Sequence, residues 1–449
     1  MNHNIKIIVN VTTSFNWHAE PVGIIRVERE IVKALINLYG KNVKLCLWKN
    51  NNFVQIRHDT YLNPKPISYS FKLLKKFYYF YKKLKCVLKN MLNCIFNRLF
   101  ISLKNIIKIS LFYKLKRITF FYNYFFNFYL RFKYPDDNLR IGKRLLSEKA
   151  FQINNQLFSK DSVFLSIGLE WAEDYVKHFN KIKVNGIRVV TMCYDLIPIK
   201  YPHYCFTDFS SQFSNFLIKI NYGSNLVVSI SKTTELELKK FYSDNGLPLP
   251  NIKTVFLGSN FKNDFDHLDE ISIPGDYLLY VSTIEIRKNH QLLINVYKHA
   301  KINKRDMPYL VLVGTKGWGV NDLIDEIENS AFLNDKIIFL NKINDKKLKS
   351  LYLGSKFCLY PSFYEGFGLP VIEALCLGKF TLCSDIPSLK EIGKDYLNYI
   401  DPSSYINWYE EIITLLDNPI TLKKYEKKIL KENFEYSWEN CVKNIIEGL

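Results

Sequence analysis

Tyr360-Pro-Ser-Phe-Tyr-Glu365-Gly-Phe-Gly-Leu-Pro-Val-Ile-Glu373 is the stretch from which the rest of the chain can be read. An apolar run, Phe357 to Tyr360, leads into it and predicts a buried strand ending at Pro361. Gly366 and Gly368 then make a turn, and Pro370 opens a helix near its first turn, where a missing N–H does no harm. Free backbone N–H groups would point out of such a turn beside the positive end of a helix. That is an anion site suited to a diphosphate. Glu365 stands at the mouth of the turn, and Glu373 lies about one turn into the helix. One carboxylate can face a ligand's reacting end while the other holds its far end.

Around this stretch the pattern alternates strand and helix. Strands are expected at Tyr277 to Val281, Tyr309 to Val313, Lys336 to Leu340, Phe357 to Tyr360 and Phe380 to Cys383. Helices fall between them, among them His290 to Ala300 and Asp345 to Leu353. A polar stretch, Asn260 to Gly275, reads as a linker. Before it runs a first series, with strands at Lys6 to Val11, Val43 to Leu47, Ser162 to Leu165, Arg188 to Cys193 and Leu226 to Ser229. Its helices open at Gly23, where Val27, Ile31, Leu35 and Leu38 recur at helical spacing, and near Ile141 to Phe158. Short apolar strands separated by helices imply parallel sheets covered on both faces. Two doubly wound α/β domains put their ligand sites at the carboxyl ends of strands, facing a shared cleft.

The Tyr360–Glu373 stretch resembles the retaining glycosyltransferases of family 4, which share the two-domain GT-B fold. The likeness rests on Pro361, Ser362, Glu365, Gly366, Phe367, Gly368, Leu369, Pro370, Glu373 and Ala374 in register. It implies an N-terminal, acceptor-side Rossmann-like domain over residues 1–265 and a nucleotide-sugar-binding Rossmann-like domain over 270–435. The segment 436–449, with Trp438, would be a helix crossing back to the N-terminal domain.

Further elements carry the same resemblance. In Val281-Ser-Thr-Ile-Glu-Ile-Arg-Lys-Asn-His290, Lys288 matches the lysine that contacts the donor diphosphate. Thr283 stands where many relatives have arginine, and Arg287 can supply that charge. Two adjacent cations at a helix start oppose the helix dipole, which argues for a bound anion. Val313-Gly-Thr-Lys-Gly-Trp318 is a strand followed by a glycine loop, and Gly314 lets a backbone approach closely. Lys336 to Leu340, Leu348 and Tyr352 also match and serve packing. Ser384, Pro387, Leu389 and Glu391 follow the acidic pair. By the resemblance, Glu373 accepts the ribose hydroxyls, a role that suits a carboxylate because it takes two bonds without being protonated. Glu365 lies beside the donor sugar, and Gly366, Phe367, Gly368 and Leu369 cradle the donor.

In the first domain, Asn10-Val-Thr-Thr13 and Pro21-Val-Gly-Ile-Ile-Arg-Val-Glu28 resemble the family's first strand and glycine loop, with Gly23 admitting the donor phosphate. Arg26 meets either an anionic acceptor or Glu30, its i+4 neighbour. Tyr194-Asp-Leu-Ile-Pro198 resembles the His-Asp-Leu-Ile-Pro element of bacterial polysaccharide glycosyltransferases, with Tyr194 in place of the imidazole. Asp195 is either a polar group near the transferred sugar or a turn-forming Asp capping its own backbone. Ser231 and Lys232 are cleft candidates, and Ser231 doubles as a helix cap.

Composition sets the frame. The chain has 449 residues, 48% of them apolar, enough for sizeable cores. Nine cysteines without a Cys-x-x-Cys pair argue against a disulfide framework or structural zinc and suit a reducing compartment. The N-terminus reads as a strand and not as a signal peptide. The longest uncharged apolar run, Ile118 to Leu130, is 13 residues long and contains Asn, short of the roughly 20 needed to span a bilayer.

The net charge is +19, and Phe71 to Lys133 holds fifteen Lys or Arg with no Asp or Glu. Outside that window the chain is only mildly basic, so no nucleic-acid partner is expected. Within it Leu84, Leu88, Met91, Ile95, Leu99, Leu103 and Ile106 recur at helical spacing, interleaved with Lys85, Lys89, Lys104 and Lys108. Residues 65–140 thus read as a basic, aromatic, helical insertion in the first domain. Such a segment suits an anionic membrane surface. A hairpin packed on the domain and a disordered insertion use the same residues.

The resemblance implies a retaining hexosyltransferase that moves a sugar from a GDP-, UDP- or dTDP-sugar to a lipid-linked or growing glycan. The setting implied is cell-surface polysaccharide such as O-antigen, lipopolysaccharide or capsule. The enzyme would be cytoplasmic and peripheral on the inner face of the membrane. Glu365, Lys288, Arg287 and Asp195 are the catalytic candidates. No cofactor is implied. No Asp-x-Asp cation clamp is obvious, so no metal is expected. A soluble sucrose- or glycogen-type synthase is the alternative enzyme, and a catalytically inactive membrane-bound partner of an assembly complex is the alternative outside catalysis.

Overall fold

A computed structural model describes residues 5–17, 23–63 and 153–449, apart from 155, 206–208, 263–268, 270 and 318. Met1–His58 and Phe151–Leu449 form one compact unit and Asp59–Ala150 a second. Of the second unit only residues 59–63 are described. The basic insertion expected over 65–140 lies outside the described residues, as does most of the helix expected from Ile141 to Phe158. Where that helix should end there is instead a turn, with the Leu157 and Phe158 N–H groups returning to the Asn154 carbonyl.

The first unit contains two sheets. The first is built from β1 (Ile7–Asn10), β2 (Val43–Lys49), β3 (Asn52–Ile56), β4 (Val163–Ser166), β5 (Arg188–Cys193), β6 (Leu226–Ser229) and β7 (Ile252–Thr254). Their order is β3-β2-β1-β4-β5-β6-β7. All neighbours run parallel except β3, which returns antiparallel on β2. The second contains β8 (Tyr277–Val281), β9 (Tyr309–Val313), β10 (Ile337–Leu340), β11 (Cys358–Tyr360), β12 (Thr381–Ser384) and β13 (Asn398–Ile400). Its order is β10-β9-β8-β11-β12-β13, parallel throughout. Central strands such as β1, β4, β6 and β12 are buried at every residue, as strands covered on both faces must be.

Each chain path winds one way from its first strand and then turns back to wind the other way. The reversal falls between β1 and β4 in the first sheet and between β8 and β11 in the second. Crossover connections diverge at such a point and leave a crevice at the carboxyl ends of the strands. Capping side chains fix where several helices begin. The Ser231, Asn344 and Ser437 side chains accept the N–H of Thr234, Lys347 and Asn440.

The helix Trp438–Glu447 follows the second sheet in sequence but packs on the first domain, against the helix Gly23–Tyr39. Trp438 Nε1 donates to Asn260 Oδ1 at 2.7 Å, and Lys253 Nζ donates to the Asn444 carbonyl at 2.7 Å. A Cβ on Gly258 would come within 2.6 Å of the Trp438 ring, so glycine there admits the indole.

Candidate active site

The crevice between β8 and β11 collects a cluster of buried charges. The loop after β8 carries Glu285, Arg287 and Lys288, and the loop after β11 carries Glu365. Lys288 Nζ lies 2.5 Å from Glu365 Oε1, and Arg287 Nη1 lies 2.9 Å from Glu365 Oε2. Arg287 Nη2 reaches Glu285 Oε1 at 2.6 Å. Lys288 Nζ also donates to Tyr360 Oη at 3.1 Å. All four charged groups are largely out of water. Burial alone would raise the Glu365 pKa, but Arg287 and then Lys288 outweigh it and hold the carboxyl down at about 2. Burial lowers the Lys288 pKa, and Glu365 only partly offsets that.

The two cations stand in a 3-10 turn, Ile286–Lys288, just before the helix His290–Ile302. Their opposition to the helix dipole therefore has an intramolecular answer in Glu365 and Glu285. Glu285 is the residue that sequence reasoning missed, although it stands two positions from Arg287. The geometry leaves a cationic pair that a stronger anion can claim, and a carboxylate that such an exchange would release.

Glu373 lies in the helix Leu369–Cys376, whose residues Val371 to Cys376 are all buried. Its Oε2 accepts from Tyr352 Oη at 2.9 Å, and its Oε1 lies 3.1 Å from Arg26 Nη1 of the first domain. Burial raises its pKa, against the opposing pull of Arg26. Arg26 thus pairs with Glu373 and not with its i+4 neighbour Glu30. Its second partner is Asp345, at 3.3 Å, while Glu30 is paired with Lys33.

The turn between the two acids fits tightly. Gly368 has φ +123 and precedes the helix, and a Cβ there would come within 2.7 Å of Leu389 Cδ2. A Cβ on Gly366 would come within 2.1 Å of the Tyr194 carbonyl oxygen, so this glycine is where the first domain touches the turn. Phe367 is buried beside the Phe256 ring, and Leu369 starts the helix. Gly314 is confined as well, because a Cβ there would overlap the Ser282 carbonyl at 1.9 Å. Its own N–H is spent on Leu340. The backbone that approaches Gly314 closely is therefore the end of β8. Gly23 opens its helix at φ +51, and a Cβ there would meet nothing within 4 Å among the described residues.

The structure brings Asp195 to the same crevice, beside Gly366, where a Cβ would come within 2.9 Å of the Asp195 side chain. Asp195 Oδ1 accepts the Ile197 N–H at 3.0 Å, which is the turn geometry. Burial pushes its pKa up to about 6, against the pull of Arg287. Tyr194 Oη donates to the Ile167 carbonyl at 2.5 Å and is buried. Its hydroxyl is thus a structural donor inside the first domain. Ser231 caps its helix, and Lys232 pairs with Glu235. The helix Lys232–Asp244 gains a second cap across the cleft. Glu391 accepts the backbone N–H of Lys232 at 2.7 Å and of Thr233 at 2.6 Å.

Among the described residues no group of three or more His, Cys, Asp or Glu is placed to hold a metal. The triplet Asp264-Phe-Asp266 falls in the linker and lies outside the described residues.

Residues 270–432 match the family model of glycosyl transferases group 1. This span contains Arg287, Lys288, Glu365 and Glu373. The O-antigen chain mannosyltransferase B of Escherichia coli is 32% identical over 172 residues, which are 38% of this chain and 45% of that protein. The serotype-specific mannosyltransferase WbdA of Escherichia coli is 24% identical over 280 residues, 58% of this chain and 34% of that protein. The chain thus spans less than half the length of these curated relatives. The crystal structure of Anabaena Alr3699/HepE in complex with UDP and glucose superposes with a TM-score of 0.56 at 11% identity, covering 99% of this chain and 98% of that one. With the two sheets described above, parallel except for β3, that likeness shows the GT-B fold.

Proposed function

We propose that this chain, whose residues 270–432 form a glycosyl transferases group 1 domain, is a retaining glycosyltransferase of cell-surface polysaccharide biosynthesis. Its donor is a nucleotide diphosphate sugar, and its acceptor is a growing or lipid-linked glycan. The relatives' names make mannose the first sugar to test. The observation that carries this reading is Glu365 held between Lys288 and Arg287 at the crevice between β8 and β11.

In this reading the donor diphosphate takes over Lys288 and Arg287, which Glu365 occupies in the free protein. Glu365 is then released to accept hydrogen bonds from the sugar hydroxyls, while Glu373, steadied by Arg26 and Tyr352, accepts from the ribose. When the bond between the anomeric carbon and the diphosphate breaks, its electron pair goes to the leaving phosphate. The two cations stabilise the charge that builds there. The acceptor hydroxyl bonds to the anomeric carbon on the face the diphosphate left, and its proton passes to the leaving phosphate oxygen.

We place the reaction at the cytoplasmic face of the membrane, because fifteen cations and no acids between Phe71 and Lys133 suit an anionic leaflet. No helix among the described residues is long and apolar enough to cross a membrane.

The test is a screen of UDP-, GDP- and dTDP-sugars for hydrolysis and transfer, with the product anomer read by NMR. One donor class should be turned over with its configuration kept. Binding and turnover of none of them would sink the proposal, and an inverted product would sink retention alone.

A further inference from the structure

A cluster of rings crosses the cleft beside Arg287. From the first domain come Tyr204, in the turn Pro202–Tyr204, and Tyr201 just before it, both beyond the short helix Ile197–Lys200 that follows Asp195. Their rings stack at 5.7 Å. From the second domain come Phe363 and Tyr364, which immediately precede Glu365. Tyr201 lies 5.0 Å from Tyr364, and Tyr204 lies 6.4 Å from Phe363 with the ring planes within 14° of parallel. Tyr364 is buried, whereas Tyr201, Tyr204 and Phe363 are partly exposed.

The cluster is tied to the charged crevice through the backbone. Phe363 N–H donates to the Arg287 carbonyl at 3.0 Å, and Arg287 Nη1 donates to the Tyr364 carbonyl at 2.5 Å. Its rim is polar. Glu237 pairs with Lys200 and accepts from Tyr364 Oη, and Lys200 Nζ sits 5.3 Å over the Tyr364 ring. Partly exposed rings with hydrogen-bonding groups at their edges, two positions from Glu365, are a poor packing solution and a good recognition surface.

Position selects the ligand. Glu373 meets the first domain at Arg26, in the helix Gly23–Tyr39 that follows β1, and the rings meet it at Tyr201 and Tyr204, beyond β5. In the sheet β4 separates β1 from β5, so the Arg26 contact and the ring contacts follow different strands of the first domain. A donor whose ribose lies at Glu373 and whose diphosphate lies at Lys288 and Arg287 delivers its sugar toward the rings. We propose that Tyr201, Tyr204 and Phe363 form a pyranose-binding shelf. The shelf rests on the proposed function. It takes the apolar C–H face of a hexose, whose slightly positive hydrogens are attracted to the negative ring faces, while the sugar's hydroxyls turn to the polar rim.

The probes are methyl pyranosides (methyl α-D-mannoside, α-D-glucoside and α-D-galactoside), followed by saturation-transfer NMR on the full chain. The wild type should transfer saturation to the ring C–H protons of at least one. The double variant Tyr204→Ala, Phe363→Ala should weaken binding roughly tenfold, while Tyr204→Phe keeps it. Nucleoside diphosphate affinity, measured by calorimetry, should be unchanged in all of them and certifies that the variants are folded. If the pyranoside signal survives saturation with the nucleotide sugar, the shelf holds the acceptor's sugar; if it disappears, the shelf holds the donor's. Equal transfer in the wild type and the double variant, or none from the wild type to any pyranoside, overturns the shelf. Pyranoside binding without any nucleoside diphosphate binding would instead overturn the proposed donor site and leave the shelf standing.

Discussion

Arg26 of the first domain lies 3.1 Å from Glu373 of the second, and both side chains are shielded from water. A carboxylate has room for further partners after two contacts, so this pairing steadies the acid without saturating it. Glu373→Ala should remove one or two charge-assisted bonds to the ribose, each about 1.5–3 kcal/mol, and weaken nucleotide binding roughly tenfold or more. Calorimetric titration of the folded variant checks this. In a double-mutant cycle Arg26→Ala should be non-additive with Glu373→Ala, because each leaves the other's buried charge unpaired.

Lys288→Ala and Arg287→Ala should each lower turnover at saturating donor, by about 100-fold for Lys288 if it stabilises the leaving diphosphate. Each also removes a cation that keeps Glu365 ionised, so the Glu365 pKa should rise from about 2 in both variants. Carboxyl carbon NMR on labelled protein reads that shift. Near-normal initial rates in both single variants would exclude the diphosphate assignment.

Glu28 and Glu170 are buried at the carboxyl ends of β1 and β4, and burial raises their pKa values to about 8 and about 7. Each folded carboxyl binds its proton more tightly than the unfolded one does. The stability this contributes is complete below the ordinary value near 4.5 and is lost as pH rises through about 7 and about 8. Thermal midpoints of the wild type should therefore fall between pH 5 and pH 9. Glu28→Gln, which can still accept from Ser14, should flatten that fall and raise the midpoint at pH 8.

Gly366→Ala places a methyl 2.1 Å from the Tyr194 carbonyl oxygen. Backbone lines both sides of this contact, so the strain has no flexible side chain to absorb it. The cost should be about 1–3 kcal/mol. We expect a lower thermal midpoint, a larger radius of gyration by small-angle scattering and reduced turnover. An unchanged scattering profile would show that the contact does not set the spacing of the domains.

Replacing Lys85, Lys89, Lys104 and Lys108 with Gln should weaken co-sedimentation with anionic liposomes and leave nucleotide affinity intact. Binding by the wild type should fall with salt, because the attraction is screened over about 10 Å at 0.1 M. A wild type indifferent to anionic liposomes at low salt would remove the membrane from the proposal.

Central strands such as β8 and β9 were legible because a strand buried on both faces is a continuous apolar run, and both match their expected bounds. Edge strands lack that mark. β3 exposes Val54 and Gln55, and its signal was the turn before it, where Asn50 and Asn51 take φ 50 and φ 58. β7 is three half-buried residues at the other edge. Glu365 and Glu373 could be singled out because glycines and a proline stand between them in one short segment. Arg26 offered a local partner in Glu30 and took instead two acids more than three hundred positions away. No local spacing rule reaches that far. The cleft-side cap by Glu391 and the rings around Phe363 are hidden from sequence for the same reason.

The helix Trp438–Glu447 also governs when the molecule can finish folding. It buries Trp438, Cys441, Val442, Ile445 and Ile446 against a domain whose other elements were synthesised first. As that domain leaves the ribosome, the face that later receives the helix is uncovered, and it stays so while the whole second sheet is made. During that interval the early domain lacks the apolar side chains of this helix against the helix Gly23–Tyr39, and the uncovered surface is a natural place for a chaperone to hold. A chain stalled or clipped before Trp438 should remain aggregation-prone even with every strand of both sheets present.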